Sequence, residues 1–196
     1  MRALSPNEAS IEEVCDILKR GGVVAHATET CYGLACDLTN PDAVERLFAI
    51  KQRPANLPVS ALFPSVDEAK RYVEWNDRAE ELARDNLPGP LTLILPPRKD
   101  APFQLFLAPR HTGTVGVRVS SHPLAFELVQ AFGRPLSTTS ANISGQPNLY
   151  SIEEIKTQFK NAKMKPDIVL DSGQLPRNPP SRVIDLSGEG EIVVRT

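Results

Sequence analysis

Four segments of the chain place apolar residues at the spacing of an amphipathic helix. In the first, Ser10 and Glu13 form a capping box, and the Gly21-Gly22 pair ends the apolar repeat. In the second, Asn40 is a favourable N-cap and is followed by proline. The patterns predict helices at residues 11–20, 41–51 and 123–132, and after the capping box of Ser151 and Glu154.

Short apolar runs between these helices predict buried strands. The runs are Val23 to Ala27, Leu91 to Leu95, Val115 to Val119, Leu136 to Thr139, Ile168 to Asp171, Val183 to Leu186 and Ile192 to Val194. Strands that alternate with helices predict an α/β sheet, and the last strands, which no helix separates, predict a mixed sheet. Because no loop is long enough to divide the chain, we expect residues 1–196 to form a single domain.

Composition narrows the class of protein. With 196 residues, of which 41% are hydrophobic and 23% charged, the chain can bury one substantial core. The formal net charge of -2 provides no global basic field for nucleic acid. Three cysteines and the lack of an apolar run near the N-terminus predict a reduced, cytoplasmic protein that does not engage a membrane. The 18 prolines stand at the ends of periodic segments.

The first strand leads into the sequence TETCYGL, residues Thr28 to Leu34, which we interpret as a polar turn at a candidate site rather than as more core. Familiar motifs for other chemistries are absent: there is no P-loop, no G-x-G-x-x-G and no G-x-S-x-G. Cys31 and Cys36 have no second pair of ligands nearby in the sequence, so buried thiols are favoured over a zinc site.

Two further segments could bind an anion. Ser137 to Gly145 predicts a strand that runs into a hydroxyl-rich turn, which could offer N–H and O–H groups to phosphate; an ordinary capped turn is the alternative. Lys51 and Arg53 bring two cations to the end of a helix and suit phosphate or carboxylate, although cations are also common at helix C-termini. Arg118 lies within an apolar run and should therefore have an anionic partner or ligand.

Lysines near the predicted last helix raise the question of RNA binding. They are Lys156, Lys160, Lys163 and Lys165. A solvated helix face is the favoured interpretation, so we expect weak or no direct RNA binding.

Four short motifs in the chain occur together in one known family. They are Thr28-Glu29-Thr30-Cys31-Tyr32-Gly33-Leu34, Lys51-Gln52-Arg53-Pro54, Pro88-Gly89-Pro90-Leu91-Thr92 and Ser140-Ala141-Asn142. They resemble the T-[DE]-T-x-Y-G-L, K-x-R, P-G-P-x-T and S-x-N motifs of the YrdC-like (TsaC-type) threonylcarbamoyl-AMP synthases. The resemblance extends from about Gly22 to Arg195 and implies a YrdC-like fold, a twisted mixed sheet flanked by helices, with a concave ligand groove.

The resemblance also implies a reaction. L-threonine, bicarbonate and ATP give threonylcarbamoyl-AMP and pyrophosphate, with Mg²⁺ accompanying ATP and the product passing to a tRNA threonylcarbamoyl transferase complex. By motif position, L-threonine would contact Thr30, Arg118, Thr138 and Ser181. ATP would contact Lys51, Arg53, Thr114, Ser140, Asn142 and Arg195. Lys51 and Arg53 are the candidate catalytic residues, because fixed cations can stabilise charge on the reacting oxygens; no carboxylate cluster marks a metal site.

The chain departs from the family pattern at several positions. Leu57 replaces a usual polar residue, Leu62 stands where some members have histidine, Asn148 replaces a serine, and Arg182 lies in an altered tail motif. These changes resemble the YciO-like branch, so the alternative is a paralogue that binds nucleotide or RNA without synthase activity. The intact K-x-R and S-x-N motifs favour the synthase.

Overall fold

The computed structural model describes residues 2–5, 10–54, 56–107 and 113–196. Its helices are α1 (Ile11–Lys19), α2 (Pro41–Lys51), α3 (Val66–Lys70), α4 (Asp77–Asn86), α5 (Pro123–Phe132) and α6 (Ile152–Gln158). Its strands are β1 (Arg2–Leu4), β2 (Val24–Ala27), β3 (Tyr32–Ala35), β4 (Ser60–Leu62), β5 (Leu91–Leu95), β6 (Val115–Arg118), β7 (Leu136–Ser140), β8 (Ile168–Leu170), β9 (Arg182–Asp185) and β10 (Ile192–Arg195).

The strands form one ten-stranded sheet in the order β1-β8-β2-β3-β7-β4-β6-β5-β9-β10. The parallel pairs are β1 with β8, β8 with β2, β4 with β6 and β5 with β9. The other neighbours are antiparallel. The prediction of an α/β fold with a mixed sheet is therefore confirmed.

The capping residues that the sequence indicates begin their helices as expected. The Oγ of Ser10 accepts a hydrogen bond from the N–H of Glu13 at 3.1 Å, and Ser151 caps α6 in the same way. These bonds satisfy amide groups that have no partner inside the helix. Local sequence is thus sufficient to place the starts of α1 and α6.

The interpretation of Thr28 to Leu34 as a turn is wrong in its second half, because Tyr32–Ala35 is the buried strand β3. Burial of Tyr32 leaves its hydroxyl with partners: the hydroxyl donates to the carbonyl of Gly173 and accepts from the N–H of Ser172, both at 2.9 Å. The sequence patterns also do not predict four other elements, namely β1, β4, α3 and α4. The three that are shortest carry too few residues for a periodic signal.

The lysines near α6 do not share a helix face. The helix ends at Gln158, so Lys156 alone of the four belongs to it, and Lys160, Lys163 and Lys165 follow it. The ammonium of Lys165 donates to the carbonyl of Lys160 at 2.7 Å. Within the described segments, no helix is both long and apolar enough to cross a membrane.

The two faces of the sheet are covered unequally. On one face, α1 and α5 pack over part of the sheet near β1, β8 and β2. The opposite face packs against apolar residues of α2, α4 and α6 in a larger cluster. The first face is left open beyond the edge of α5, and the candidate site lies on that open part.

Candidate active site

Small and polar residues occupy the open face of the sheet at neighbouring register positions. Gly33 of β3 is opposite Ser140 of β7, and Thr138 of β7 is opposite Ser60 of β4. Farther along, Arg118 of β6 is opposite Thr92 of β5. Because side chains opposite each other point to the same face, these strands together make a polar floor.

A cavity of about 340 Å³ lies over this floor. Its lining includes most of the residues to which the motifs assign a contact with substrate: Thr30, Arg53, Thr114, Arg118, Thr138, Ser140, Ser181 and Arg195. Among the described lining residues there are three arginines and no carboxylate. A concave surface with this charge favours an anionic ligand.

The cavity depends on a glycine in its floor. A Cβ atom built on Gly116 would lie 2.7 Å from the Oγ of Ser60 and 3.4 Å from its Cα. A side chain at this position would therefore force the Ser60 side chain to move. Because Gly116 has no side chain, the cavity keeps its depth where the ligand would lie.

Lys51 and Asn142 are the two predicted site residues that do not line the cavity. Lys51 ends α2 with 2% of its surface exposed. Its ammonium donates to the carbonyls of Ser140 and Asn142, at 2.5 and 3.0 Å, and to Oδ1 of Asn142 at 3.1 Å. Burial, and secondarily the charge of Arg53, lowers the pKa of Lys51 to about 7. The lysine of the K-x-R motif thus holds the S-x-N turn by hydrogen bonds and does not itself line the cavity.

Arg53 reaches the cavity from the end of the same helix. Its Nη2 donates to the carbonyl of Pro58 at 2.8 Å. Its Nε is buried and has no hydrogen-bond partner among the described residues. Burial lowers the pKa of Arg53, yet a guanidinium stays charged at any ordinary pH. Arg53 therefore retains a donor and a positive charge for a ligand.

Arg118 lies at the other side of the floor and is 4% exposed. Its Nη2 donates to Oε1 of Glu29, and the hydroxyl of Ser120 donates to Oε2 of the same carboxylate. Its Nη1 is buried without a partner among the described residues. Burial lowers the pKa of Arg118, and the charge of Glu29 opposes that shift. The expectation of an anionic partner for Arg118 is confirmed, and the partner is Glu29.

Arg195 and Ser181 connect the last strand to the cavity. The Nε of Arg195 donates to the carbonyl of Ser181 at 2.7 Å, and its Nη2 donates to the Oγ of Ser181 at 2.8 Å. The hydroxyl of Thr92 lies 3.3 Å from that of Ser181. Arg195, which the motifs assign to ATP, is thus hydrogen bonded to Ser181, which they assign to L-threonine.

The first half of the TETCYGL motif is a tight turn organised by one hydroxyl. The Oγ1 of Thr28 donates to the carbonyl of Cys31 at 2.6 Å and accepts from the N–H groups of Thr30 and Cys31, both at 3.2 Å. This bonding presents Thr30 to the cavity. Cys31 also lines the cavity, and burial raises the pKa of its thiol. The prediction of buried thiols is confirmed for Cys15, Cys31 and Cys36, which are free and buried.

The described residues contain no cluster of three or more histidines, cysteines or carboxylates that could hold a metal ion. Both carboxylate oxygens of Glu29, the acid nearest to Arg118, are already hydrogen bonded. The donor set around the cavity therefore does not fit a resident Mg²⁺.

The sequence assigns no role to several residues in or beside the cavity. Ser60, Thr92 and Gly116 line it, and Glu29 contacts Arg118 next to it. Glu29 and Thr92 stand inside motifs that the sequence displays, so a signal for them existed. Ser60 and Gly116 carry no signal, because their importance comes from the register between β4 and β6.

The positions that depart from the family pattern lie in different surroundings. Leu62 is fully buried in the hydrophobic cluster that also contains Leu128 of α5, and Asn148 lines the cavity. Leu57 is 43% exposed, and Arg182 is exposed at the start of β9. Of the four, Asn148 alone can contact a ligand in the described cavity.

A mixed α/β sheet with a cationic cavity over its open face defines a ligand-binding α/β protein of the type that handles anionic substrates. The family model Sua5_yciO_yrdC, described as "Telomere recombination", matches residues 16–196. The chain therefore belongs to the Sua5/YciO/YrdC family, as the motifs indicate.

Individual proteins of known sequence or structure agree with this membership. Threonylcarbamoyl-AMP synthase of Vibrio cholerae is 36% identical over 179 residues, which cover 90% of this chain and 92% of that protein. The crystal structure of P. abyssi Sua5 complexed with L-threonine matches 94% of this chain at 33% identity with a TM-score of 0.84. This chain covers 53% of that Sua5 chain.

E. coli YciO matches 99% of this chain, and 93% of its own, at 29% identity with a TM-score of 0.80. The YciO-like branch is therefore close to this chain in fold. The curated relatives carry an enzyme's name, however, and support the synthase rather than a binding module.

Proposed function

We propose that this chain is a threonylcarbamoyl-AMP synthase that uses L-threonine, bicarbonate and ATP. One observation carries the proposal: the residues to which two different substrates are assigned by motif meet in a single cavity with three arginines. Such a cavity can hold two anionic reactants side by side, which converts their encounter into a reaction within one complex.

L-threonine would bind at the end of the cavity near β6. Arg118 would pair with the α-carboxylate through Nη1, which has no partner among the described residues. Thr30, Thr138 and Ser181 would offer hydroxyl groups to the polar parts of the amino acid. The amino group would then point towards the centre of the cavity.

ATP would occupy the rest of the same cavity. Arg53, Thr114, Ser140 and Arg195 line the cavity and would contact the nucleotide. Lys51 and Asn142 would act from behind the lining by holding the Ser140 carbonyl and the turn that follows it. Because the described residues offer no metal cluster, Mg²⁺ would enter with the triphosphate and not on protein ligands.

The chemistry needs two bonds to form. The amine of L-threonine attacks the carbon of bicarbonate, and water leaves to give a carbamate. A carbamate oxygen then attacks the α-phosphorus of ATP, and the bond to pyrophosphate breaks. Negative charge builds on the phosphate oxygens during this second step, where Arg53 and Arg195 can stabilise it. No side chain of the protein forms a covalent bond.

Pyrophosphate release by the purified chain tests the proposal. We expect release with ATP, L-threonine and bicarbonate together, and background release when either L-threonine or bicarbonate is omitted. Arg53→Gln should reduce the rate by about 100-fold. Arg84→Gln is the matched control, because Arg84 is exposed on α4 and pairs with Asp85 at the surface. A folded wild-type chain that releases no pyrophosphate overturns the proposal.

Three finer points belong to the same proposal. Residues 1–196 would act as one domain, since the ten-stranded sheet joins β1 to β10. Three free, buried thiols suit a reducing, cytoplasmic setting. The product, a reactive mixed anhydride, would be passed to a tRNA threonylcarbamoyl transferase complex, which a pull-down of transferase subunits with the purified chain would test.

A further inference from the structure

We propose that Glu29 is a positioning residue for L-threonine, because it orients Arg118 so that the guanidinium receives the substrate carboxylate through the nitrogen that Glu29 does not use. This inference rests on the proposed function. It gives a role to a residue of the TETCYGL motif to which no substrate contact is assigned.

The carboxylate of Glu29 is held on both sides. Its Oε1 accepts from Nη2 of Arg118 and its Oε2 accepts from the hydroxyl of Ser120. Ser120 is itself fixed, since its Oγ accepts from the N–H of His122 at 3.2 Å. The side chains of Glu29 and Arg118 are 16% and 5% exposed. The carboxylate therefore has little freedom to turn away from the guanidinium.

The main chain of Glu29 is anchored as well. Its carbonyl accepts from Nδ2 of Asn178 at 2.8 Å, and Asn178 belongs to the loop that carries Ser181. On the other side, Thr28 closes the turn by its bond to the carbonyl of Cys31. Glu29 thus joins the β2–β3 turn, the end of β6 and the loop before β9.

Arg118 needs such a partner. A guanidinium buried in the floor pays a large desolvation cost unless it is paired. With Nη2 on Glu29, its Nη1 is left for a second carboxylate. A planar guanidinium can bind two carboxylates along different edges, provided that its plane is fixed in advance.

Charge and orientation make opposite predictions for the loss of Glu29. If charge dominated, removal of this carboxylate would strengthen the attraction between Arg118 and the substrate carboxylate, and the KM for L-threonine would fall. If orientation dominates, Arg118 would turn towards solvent and the KM would rise. Arg118 has no other side-chain partner in the described part of the chain that would hold it in place, so we expect orientation to dominate.

The experiment measures pyrophosphate release with L-threonine varied at saturating ATP and bicarbonate, together with direct binding of L-threonine by calorimetry. Glu29→Gln should raise the KM and the Kd for L-threonine by about tenfold, while the KM for ATP changes less than about twofold. Glu29→Asp, which the T-[DE]-T pattern permits, should recover most of the affinity.

Two further variants guard against a merely structural effect. Asp37→Asn is the matched control, because Asp37 is also buried and paired with an arginine, Arg134, but lies outside the cavity lining. It should leave the KM for L-threonine unchanged. Ser120→Ala removes one anchor of the Glu29 carboxylate without changing the charge, and should raise the KM for L-threonine by about threefold.

The outcomes separate the two proposals. A lower or unchanged KM and Kd for L-threonine in Glu29→Gln overturns the role of Glu29, as does an equal rise for L-threonine and ATP. A wild-type chain that binds L-threonine but releases no pyrophosphate contradicts the proposed function, and the Kd values still test Glu29. If Glu29→Gln does not fold, an unchanged KM in Ser120→Ala overturns the role of Glu29. A wild-type chain that does not bind L-threonine overturns both.

Discussion

The ammonium of Lys51 lies 3.0 Å from the carbonyl of Asn142, although the two residues are 91 positions apart in the chain. This contact joins the K-x-R motif to the S-x-N motif through a cation that is buried and has no carboxylate among its described partners. Three neutral oxygen atoms accept hydrogen bonds from the ammonium, so its donors have partners but its charge is not balanced by an anion. The bond holds Ser140 at the cavity wall.

Replacing Lys51 by methionine should damage both stability and activity. The variant keeps the aliphatic stem but removes the ammonium that donates to the carbonyls of Ser140 and Asn142. Oδ1 of Asn142 keeps one donor, the hydroxyl of Ser140. We expect the free energy of unfolding at pH 7 to fall by about 1–3 kcal/mol and pyrophosphate release to fall by about 100-fold. Urea unfolding and the release assay measure these changes. Lys19→Met, at an exposed end of α1, is the control and should change stability by less than about 0.5 kcal/mol.

Stability should depend on pH through Lys51. Its pKa is about 7 in the folded chain and about 10.4 in an unfolded one. Between these values the unfolded chain binds more protons, so the free energy of unfolding rises with pH. From pH 7 to pH 8 we expect Lys51 to contribute a rise of about 1 kcal/mol.

Urea unfolding of the wild type and of Lys51→Met at both pH values isolates this contribution, since other titrating groups are common to the two chains. Equal slopes in the two proteins would show that Lys51 keeps an ordinary pKa.

Tyr32 should support the L-threonine end of the cavity through its hydroxyl. Tyr32→Phe removes two hydrogen bonds to Ser172 and Gly173, which begin the loop that leads to Ser181. We expect a loss of about 1–2 kcal/mol in the free energy of unfolding and a rise of about threefold in the KM for L-threonine. Tyr72→Phe is the matched control, because Tyr72 is also buried but packs against Phe63 rather than against the loop that leads to Ser181. A KM that stays at the wild-type value in both variants would contradict this role.

Gly116 should be required for the shape of the cavity. In Gly116→Ala the new methyl group would meet Ser60, so we expect pyrophosphate release to fall about tenfold. The double variant Gly116→Ala/Ser60→Gly should recover part of the activity by making room. Gly188→Ala is the control, since nothing lies within 4 Å of a Cβ at that position. Full activity in the single variant would mean that ligands do not use this part of the floor.

Local sequence is sufficient for the starts of α1 and α6 and for the family. The capping boxes of Ser10 and Ser151 act through bonds to residues three positions away, so a short window of sequence contains all the information. The four motifs likewise identify the Sua5/YciO/YrdC family, because each is a short run of consecutive residues that can be recognised without the fold. Arg118 could be assigned an anionic partner for a similarly local reason, namely a charge within an apolar run.

Tertiary structure decides which atoms face the ligand. Lys51 and Arg53 are two residues apart, yet Lys51 turns inward to the S-x-N turn and Arg53 reaches the cavity. Glu29 meets Arg118 across 89 positions, and the contact of Gly116 with Ser60 depends on strand register. These relationships arise from the pairing of distant strands, where burial and hydrogen bonding between segments, and not local preference, set the position of each side chain.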